Sequence, residues 1–149
     1  MQMVRTDTTF CLPLLFKKVP AVDYVVLKTT TTAPIFLLFV RRLIENGTLI
    51  NGDVFVVDNC TVHVQGDNVG LKETLLEEFG VLMVNLPPYS PELNPTELVF
   101  NTLLQRLASV QARYNTVTEM DFFRAIEWAM NGFTLIDVHA FYNHCGYFL

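Results

Sequence analysis

The sequence is short of charge, and of basic charge above all. Only 17% of its 149 residues are charged, and 10 Lys and Arg stand against 15 Asp and Glu, for a net charge of −5. A freestanding nucleic-acid binder draws much of its affinity from neutralising phosphates. This balance therefore counts against strong DNA binding by the chain alone. Cysteine is scarce too: Cys11, Cys60 and Cys145 are an odd set with no CxxC spacing. That excludes a disulfide framework or a zinc knuckle and favours a reducing compartment, nucleus or cytoplasm. Long apolar runs are missing. The run Pro34 to Val40 stops at Arg41-Arg42, far short of the roughly 20 residues of a membrane span. Arg5 and Asp7 interrupt any secretory signal pattern, so the expectation is a chain neither transmembrane nor secreted. Internal repeats and low-complexity segments are absent.

What is present is apolar surface. Hydrophobic residues make up 51% of the chain, and the mean hydropathy is +0.34. That excludes intrinsic disorder and points to faces meant to be covered. The length suits one domain, which buries roughly 70% of its unfolded surface.

The pattern predicts α/β order. FCLPLLF (10–16) and AVDYVVLKT (21–29) read as short strands, the first demoted to an edge by Pro13. A helix is expected from Pro34 to Glu45, capped by Thr32 or Ala33 and stopped by Asn46-Gly47. GDVFVVDN (52–59) and VLMVNL (81–86) are continuous apolar runs, the mark of buried parallel strands. Between them lies a helix, Val69 to Phe79, with Leu71, Leu75, Leu76 and Phe79 on one face. Further helices are expected over Pro95–Ser109, Thr118–Met130 and, as a short tail, Val138–Cys145. Thr118 and Asp121 resemble a capping box, and Trp128 is assigned to the core. Two strands flanking a helix make a parallel βαβ unit in a mixed sheet.

Two carboxylates stand out. Ligand sites in open α/β sheets lie beyond the carboxyl ends of the strands. Asp58 ends one strand, and Glu97 opens the helix after the other. Facing each other there, they would suit Mg²⁺, a hard cation that takes oxygen ligands. Each also has a structural reading. Asp58-Asn59 is good turn chemistry. Asn94 is a strong N-cap, Pro95 fits the first helical position, and Glu97 at the third completes a capping box. Asp53 lies about 17 Å back along the strand on the opposite face, a poor partner for Asp58. His139, His144 and Cys145 match no standard zinc spacing.

Residues VVDNCTVH (56–63) and LPPYSPELNPTE (86–97), at their separation, resemble the DDE transposase and endonuclease family of the mariner superfamily. GTLINGD (47–53) and FYNHCGY (141–147) also resemble it, so the likeness runs over about 33–149. The resemblance implies a ribonuclease-H-like mixed sheet with flanking helices. It implies metal-dependent cleavage and transfer of DNA strands with Mg²⁺ or Mn²⁺. It assigns Asp58 and Glu97 as catalytic metal ligands, with Asn59, His63, Asn94 and Pro95 in support. The family's first catalytic Asp has no match, which implies a domain truncated at its N-terminus and inactive as it stands. The implied organisation over 1–149 is remnant strands at 1–32, a βαβα core with the acidic residues at 33–109, and C-terminal helices at 110–149. Implied partners are DNA, held weakly, and a second copy or a full-length transposase. The other reading is a transposon-derived interaction protein that binds a partner chain through its open sheet edge.

Overall fold

The computed structural model describes residues 9–11, 24–27, 32–58, 70–113 and 119–147. They fall into two compact units, Met1–Cys11 with Tyr24–Ser90, and Leu12–Asp23 with Pro91–Leu149. The architecture is mixed α/β: a small parallel sheet with flanking helices in the first unit, and helices in the second.

In the first unit, α1 spans Ala33–Glu45. Pro34 sits in its first turn, where a missing N–H costs nothing. Its end is closed by Gly47 N–H donating to the Ile44 carbonyl (2.9 Å) and Thr48 N–H to that of Leu43 (2.8 Å). Phe36, Phe39, Val40 and Leu43 recur at helical spacing and are buried. They cover one face of a parallel pair, β3 (Val54–Val57) and β4 (Leu82–Asn85), registered from Val54 opposite Leu82 to Val57 opposite Asn85. Phe36 stacks on Phe55 with ring centroids 6.5 Å apart. The crossover helix α2 (Leu71–Phe79) adds Leu71 and Leu75 to the same core. Each fully buried aliphatic side chain in such a core contributes roughly 1.5–3 kcal/mol.

The parallel pairing matches the expectation for 52–59 and 81–86, but the burial does not. Val54, Val56, Leu82 and Val84 are exposed, while Phe55, Val57 and Met83 are buried. Strand side chains alternate between faces, so both strands are covered on one side only. Leu76, at 53%, is exposed because it lies about 100° round α2 from Leu75, off the inward stripe of Leu71 and Leu75, and Phe79, the last residue of the helix on that stripe, is 38% exposed. Of the two N-terminal runs, β1 (Thr9–Cys11) and β2 (Val25–Leu27) pair antiparallel with Phe10 opposite Val26, and Val25 packs against the core of this unit.

In the second unit, a 3₁₀ turn (Pro91–Leu93) leads into α3 (Pro95–Arg113), followed by α4 (Glu119–Asn131) and α5 (Leu135–His144). Val99, Leu103, Ile126, Met130 and Val138 are all within 2% of complete burial. The helix α3 passes its expected end at Ser109, whose hydroxyl bonds back to the Arg106 carbonyl at 2.6 Å instead of capping. Three residues earlier than expected, α5 starts on a complete Thr134–Asp137 capping box. Trp128 is not core: it is 60% exposed. Ile126, Ala129 and Met130 take the inner face of α4, and Trp128, two residues from Ile126, is turned some 200° away from it. Thr118 and the side chain of Asp121 lie outside the described residues.

Candidate functional site

Asp58 is the first residue beyond β3 and is exposed. Its backbone carbonyl accepts a hydrogen bond from Nδ2 of Asn85, the last residue of β4, at 3.3 Å. The Asn85 side chain thus helps to hold the chain as it leaves the sheet. Asn59 and His63 lie outside the described residues. Asp53 is committed to the turn before β3, where its Oδ2 accepts the Ile50 N–H at 2.9 Å.

Glu97 is the third residue of α3 and exposed. Its surroundings correct one expectation. Asn94 does cap the helix: its Oδ1 accepts from the Thr96 N–H at 3.2 Å and from the Thr96 hydroxyl at 2.6 Å. Yet the reciprocal half of the box is not made. The Asn94 N–H donates to the Pro91 carbonyl at 3.0 Å, so it has no need of a glutamate. Among the described residues the Glu97 carboxylate makes no hydrogen bond or ion pair, and its backbone N–H donates to the Asn94 carbonyl at 3.1 Å. With the Asn94 N–H satisfied by Pro91, the Glu97 carboxylate is not used in the cap. Pro95 occupies the first helical position with its ring fixing φ.

The approach to this helix is tightly shaped. Tyr89 stands at φ 56°, in the left-handed region, with its side chain fully exposed. A non-glycine residue there costs on the order of 1 kcal/mol. The 3₁₀ turn that follows is tied from far along the chain: the Tyr147 hydroxyl donates to the Leu93 carbonyl at 2.9 Å. Burial pushes the Tyr147 hydroxyl above the ordinary tyrosine range, with nearby Cys145 acting in the same direction. It is therefore a protonated donor at neutral pH. Nothing local in the sequence announces this bond; the only signal is the Gly-Tyr pair at 146–147.

Arg106 has a structural role. It lies on α3, the helix that carries Glu97, and points inward. Its Nη1 donates to the Ala129 carbonyl at 2.7 Å, and its guanidinium lies 4.3 Å from the Phe133 ring centroid. The bond satisfies one of the last carbonyls of α4 and sets a cation at the negative end of that helix. Arg41, by contrast, is exposed and paired with Glu45 one turn on, at 2.7 Å.

Two carboxylates offer hard oxygen donors that suit Mg²⁺ or Mn²⁺. Asp58 belongs to the first unit and Glu97 to the second. Among the described residues there is no group of three or more His, Cys, Asp or Glu side chains able to hold a metal ion. His139 and His144 are exposed on α5 and Cys145 is buried at its end. No helix among the described residues is long and apolar enough to cross a membrane.

Comparison with curated proteins found no match, and comparison with solved structures found none. Comparison with protein families did. A family model described as DDE superfamily endonuclease matches residues 18–121. The match starts earlier than the likeness read from the motifs and ends before the FYNHCGY stretch. It contains both the strand that ends at Asp58 and the turn and helix that carry Glu97, and it covers well over half of the sequence. The chain belongs to the DDE superfamily endonuclease family.

Proposed function

We propose that this chain is a transposase-derived DDE nuclease domain of the mariner type, ribonuclease-H-like in fold, in which Asp58 and Glu97 are two carboxylate ligands for Mg²⁺ or Mn²⁺. In this reading 1–32 supply remnant strands, 33–109 the core with the acidic residues, and 110–149 the closing helices. The observation that carries it is the uncommitted Glu97 carboxylate, on a deliberately shaped helix start, inside a family match that also spans Asp58. A glutamate that served only as a cap would be bonded to the Asn94 N–H. Endonucleases of this superfamily generally use divalent metals and act on DNA. When bound, such ions activate the attacking oxygen and stabilise the leaving one. The chain's own part is to present oxygen donors: Asp58 from a strand end, Glu97 from the first turn of a helix. Asn94 and Pro95 set that turn, while Asn59 directly follows Asp58 in sequence and His63 comes five residues after it.

The same reading expects no cleavage by the chain unaided. The family's chemistry uses three carboxylates, and Asp58 and Glu97 are the two that match. The low basic charge likewise supports only weak DNA contact. The test is a supercoiled-plasmid nicking assay with the purified full chain in Mg²⁺ and then Mn²⁺. No nicking above a metal-free control is the expected result. Robust nicking that Asp58→Ala abolishes would overturn it.

A second reading is supported by the sheet. Among the described residues β3 pairs only with β4, and the outward face built by Val54, Val56, Leu82 and Val84 is apolar and exposed. A strand unpaired on one side accepts another chain. On this reading the chain associates with a second copy or a full-length relative, and a stable monomer at all accessible concentrations counts against it.

A further inference from the structure

The stretch FYNHCGY (141–147) lies outside the family match and contributes no carboxylate, yet it reaches the turn that launches Glu97. The route can be followed bond by bond. At the end of α5, Gly146 takes φ 86°, a conformation that costs a residue with a Cβ but not glycine. Its N–H donates to the Asn143 carbonyl at 3.1 Å, and the N–H of Tyr147 to the Tyr142 carbonyl at 3.0 Å. This pair of bonds is the glycine-closed helix end, in which the residue after the glycine folds back onto the last turn. The Tyr147 ring accordingly meets Tyr142 edge-on, with centroids 5.6 Å apart and planes at 80°. That contact fixes the direction of the ring, and the hydroxyl at its tip lands on the Leu93 carbonyl at 2.9 Å.

The receiving turn needs an outside tie. No residue of Pro91–Leu93 is buried, and the turn is closed onto the helix start by the Asn94 N–H on the Pro91 carbonyl. Everything that places Glu97 follows directly from it: the Asn94 cap, Pro95, and the Glu97 N–H on the Asn94 carbonyl. Burial of Val99 and Leu103 sets the rotation of α3 and, by the 3.6-residue period, turns Glu97 outward. It does not prevent the first turn from fraying, which is the usual behaviour of helix ends. A ligand must be held to within about 0.5 Å to serve a metal site.

We propose that Tyr147 is a positioning residue for Glu97: its hydroxyl, aimed by Gly146 and Tyr142, clamps the Leu93 carbonyl and thereby holds the helix start that presents the carboxylate. This rests on the reading of Glu97 as a metal ligand. Tyr147 itself touches neither metal nor substrate.

The experiment uses the ¹⁵N-labelled full chain and three variants. Tyr147→Phe removes the hydroxyl and keeps the ring on Tyr142. Glu97→Gln removes the ligand charge. Thr134→Ala weakens α5 at its opposite end without touching the clamp. Amide exchange at Asn94, Thr96 and Glu97 reports the turn directly, because all three N–H groups are hydrogen-bonded there. Mn²⁺-induced broadening of the same amides reports the ligand. In Tyr147→Phe these amides exchange about fivefold faster, the size of one net hydrogen bond. Half-broadening then needs about threefold more Mn²⁺, a smaller factor because the carboxylate itself is intact. Thr134→Ala shifts the same amides less than about twofold, since its effect is local to the other end of α5. Unchanged exchange in Tyr147→Phe, or an equal acceleration in Thr134→Ala, overturns the clamp. Faster exchange with an unchanged Mn²⁺ response, while Glu97→Gln is weakened, overturns the positioning role. A Glu97→Gln variant broadened as readily as the parent overturns the ligand reading, and the positioning role falls with it.

Discussion

Asp58 and Glu97 are both exposed acids at the edge of a regular element, one just past a strand and one in the first turn of a helix, yet the two units hold them by different means. Asp58 is placed by a sheet ending. The β3–β4 ladder delivers it, and the Asn85 side chain donates to its carbonyl at 3.3 Å. Glu97 is placed by a helix beginning, and that beginning is determined several times over. A strained Tyr89, a 3₁₀ turn, the Asn94 cap, Pro95 and the Tyr147 clamp all act on the same few residues. The difference follows from where backbone bonds are missing. A strand end inherits its position from the neighbouring strand, whereas a helix start has unsatisfied N–H groups and frays unless something outside the helix supplies partners.

Three substitutions test how unequal the two placements are. The largest effect belongs to the anchor beneath Glu97. Leu103 is 2% exposed in the second unit, and Leu103→Ala should lower stability by about 3 kcal/mol, read as a drop in the urea midpoint. A loss under about 1 kcal/mol would mean that α3 is not seated as described. Next comes the cap. Asn94→Ala should cost about 1 kcal/mol and raise exchange at Thr96 and Glu97 while leaving the amides of β3 and β4 unaltered. Equal acceleration in both places would break the contrast between the two acids. The smallest effect is expected at the strand end. The bond from Asn85 is long and exposed, so Asn85→Ala should cost at most about 0.5 kcal/mol. A loss matching that of Asn94→Ala would show that Asp58 is as firmly tied as Glu97.

Much of the local structure was legible beforehand. The helix Ala33–Glu45, the parallel strands at 54–57 and 82–85, and the helix starting at Pro95 follow from period, caps and turn residues. Even the missed start of α5 was readable, since Thr134 and Asp137 carry the capping-box signature at the right spacing. Burial was harder. The continuous apolar runs were read as strands covered on both faces, but Val54, Val56, Leu82 and Val84 are exposed. An apolar residue records that a face can be covered and says nothing of what covers it.

The candidate site divides along the same line. The residue identities at 58 and 97, the cap at Asn94 and the proline at 95 were determined by the sequence, because strand ends and helix starts are set by neighbours a few positions away. Membership of the family was likewise written in the motifs. The tertiary structure decided what those residues are free to do. The Asn94 N–H goes to Pro91, so Glu97 is released from the cap. Arg106 turns inward to a carbonyl 23 residues away. Trp128 faces outward because Ile126 and Met130 took the core. Tyr147 closes on Leu93 across 54 residues. Such contacts depend on which helices pack together and at what rotation, and a pattern that repeats every two or 3.6 residues carries no information about that.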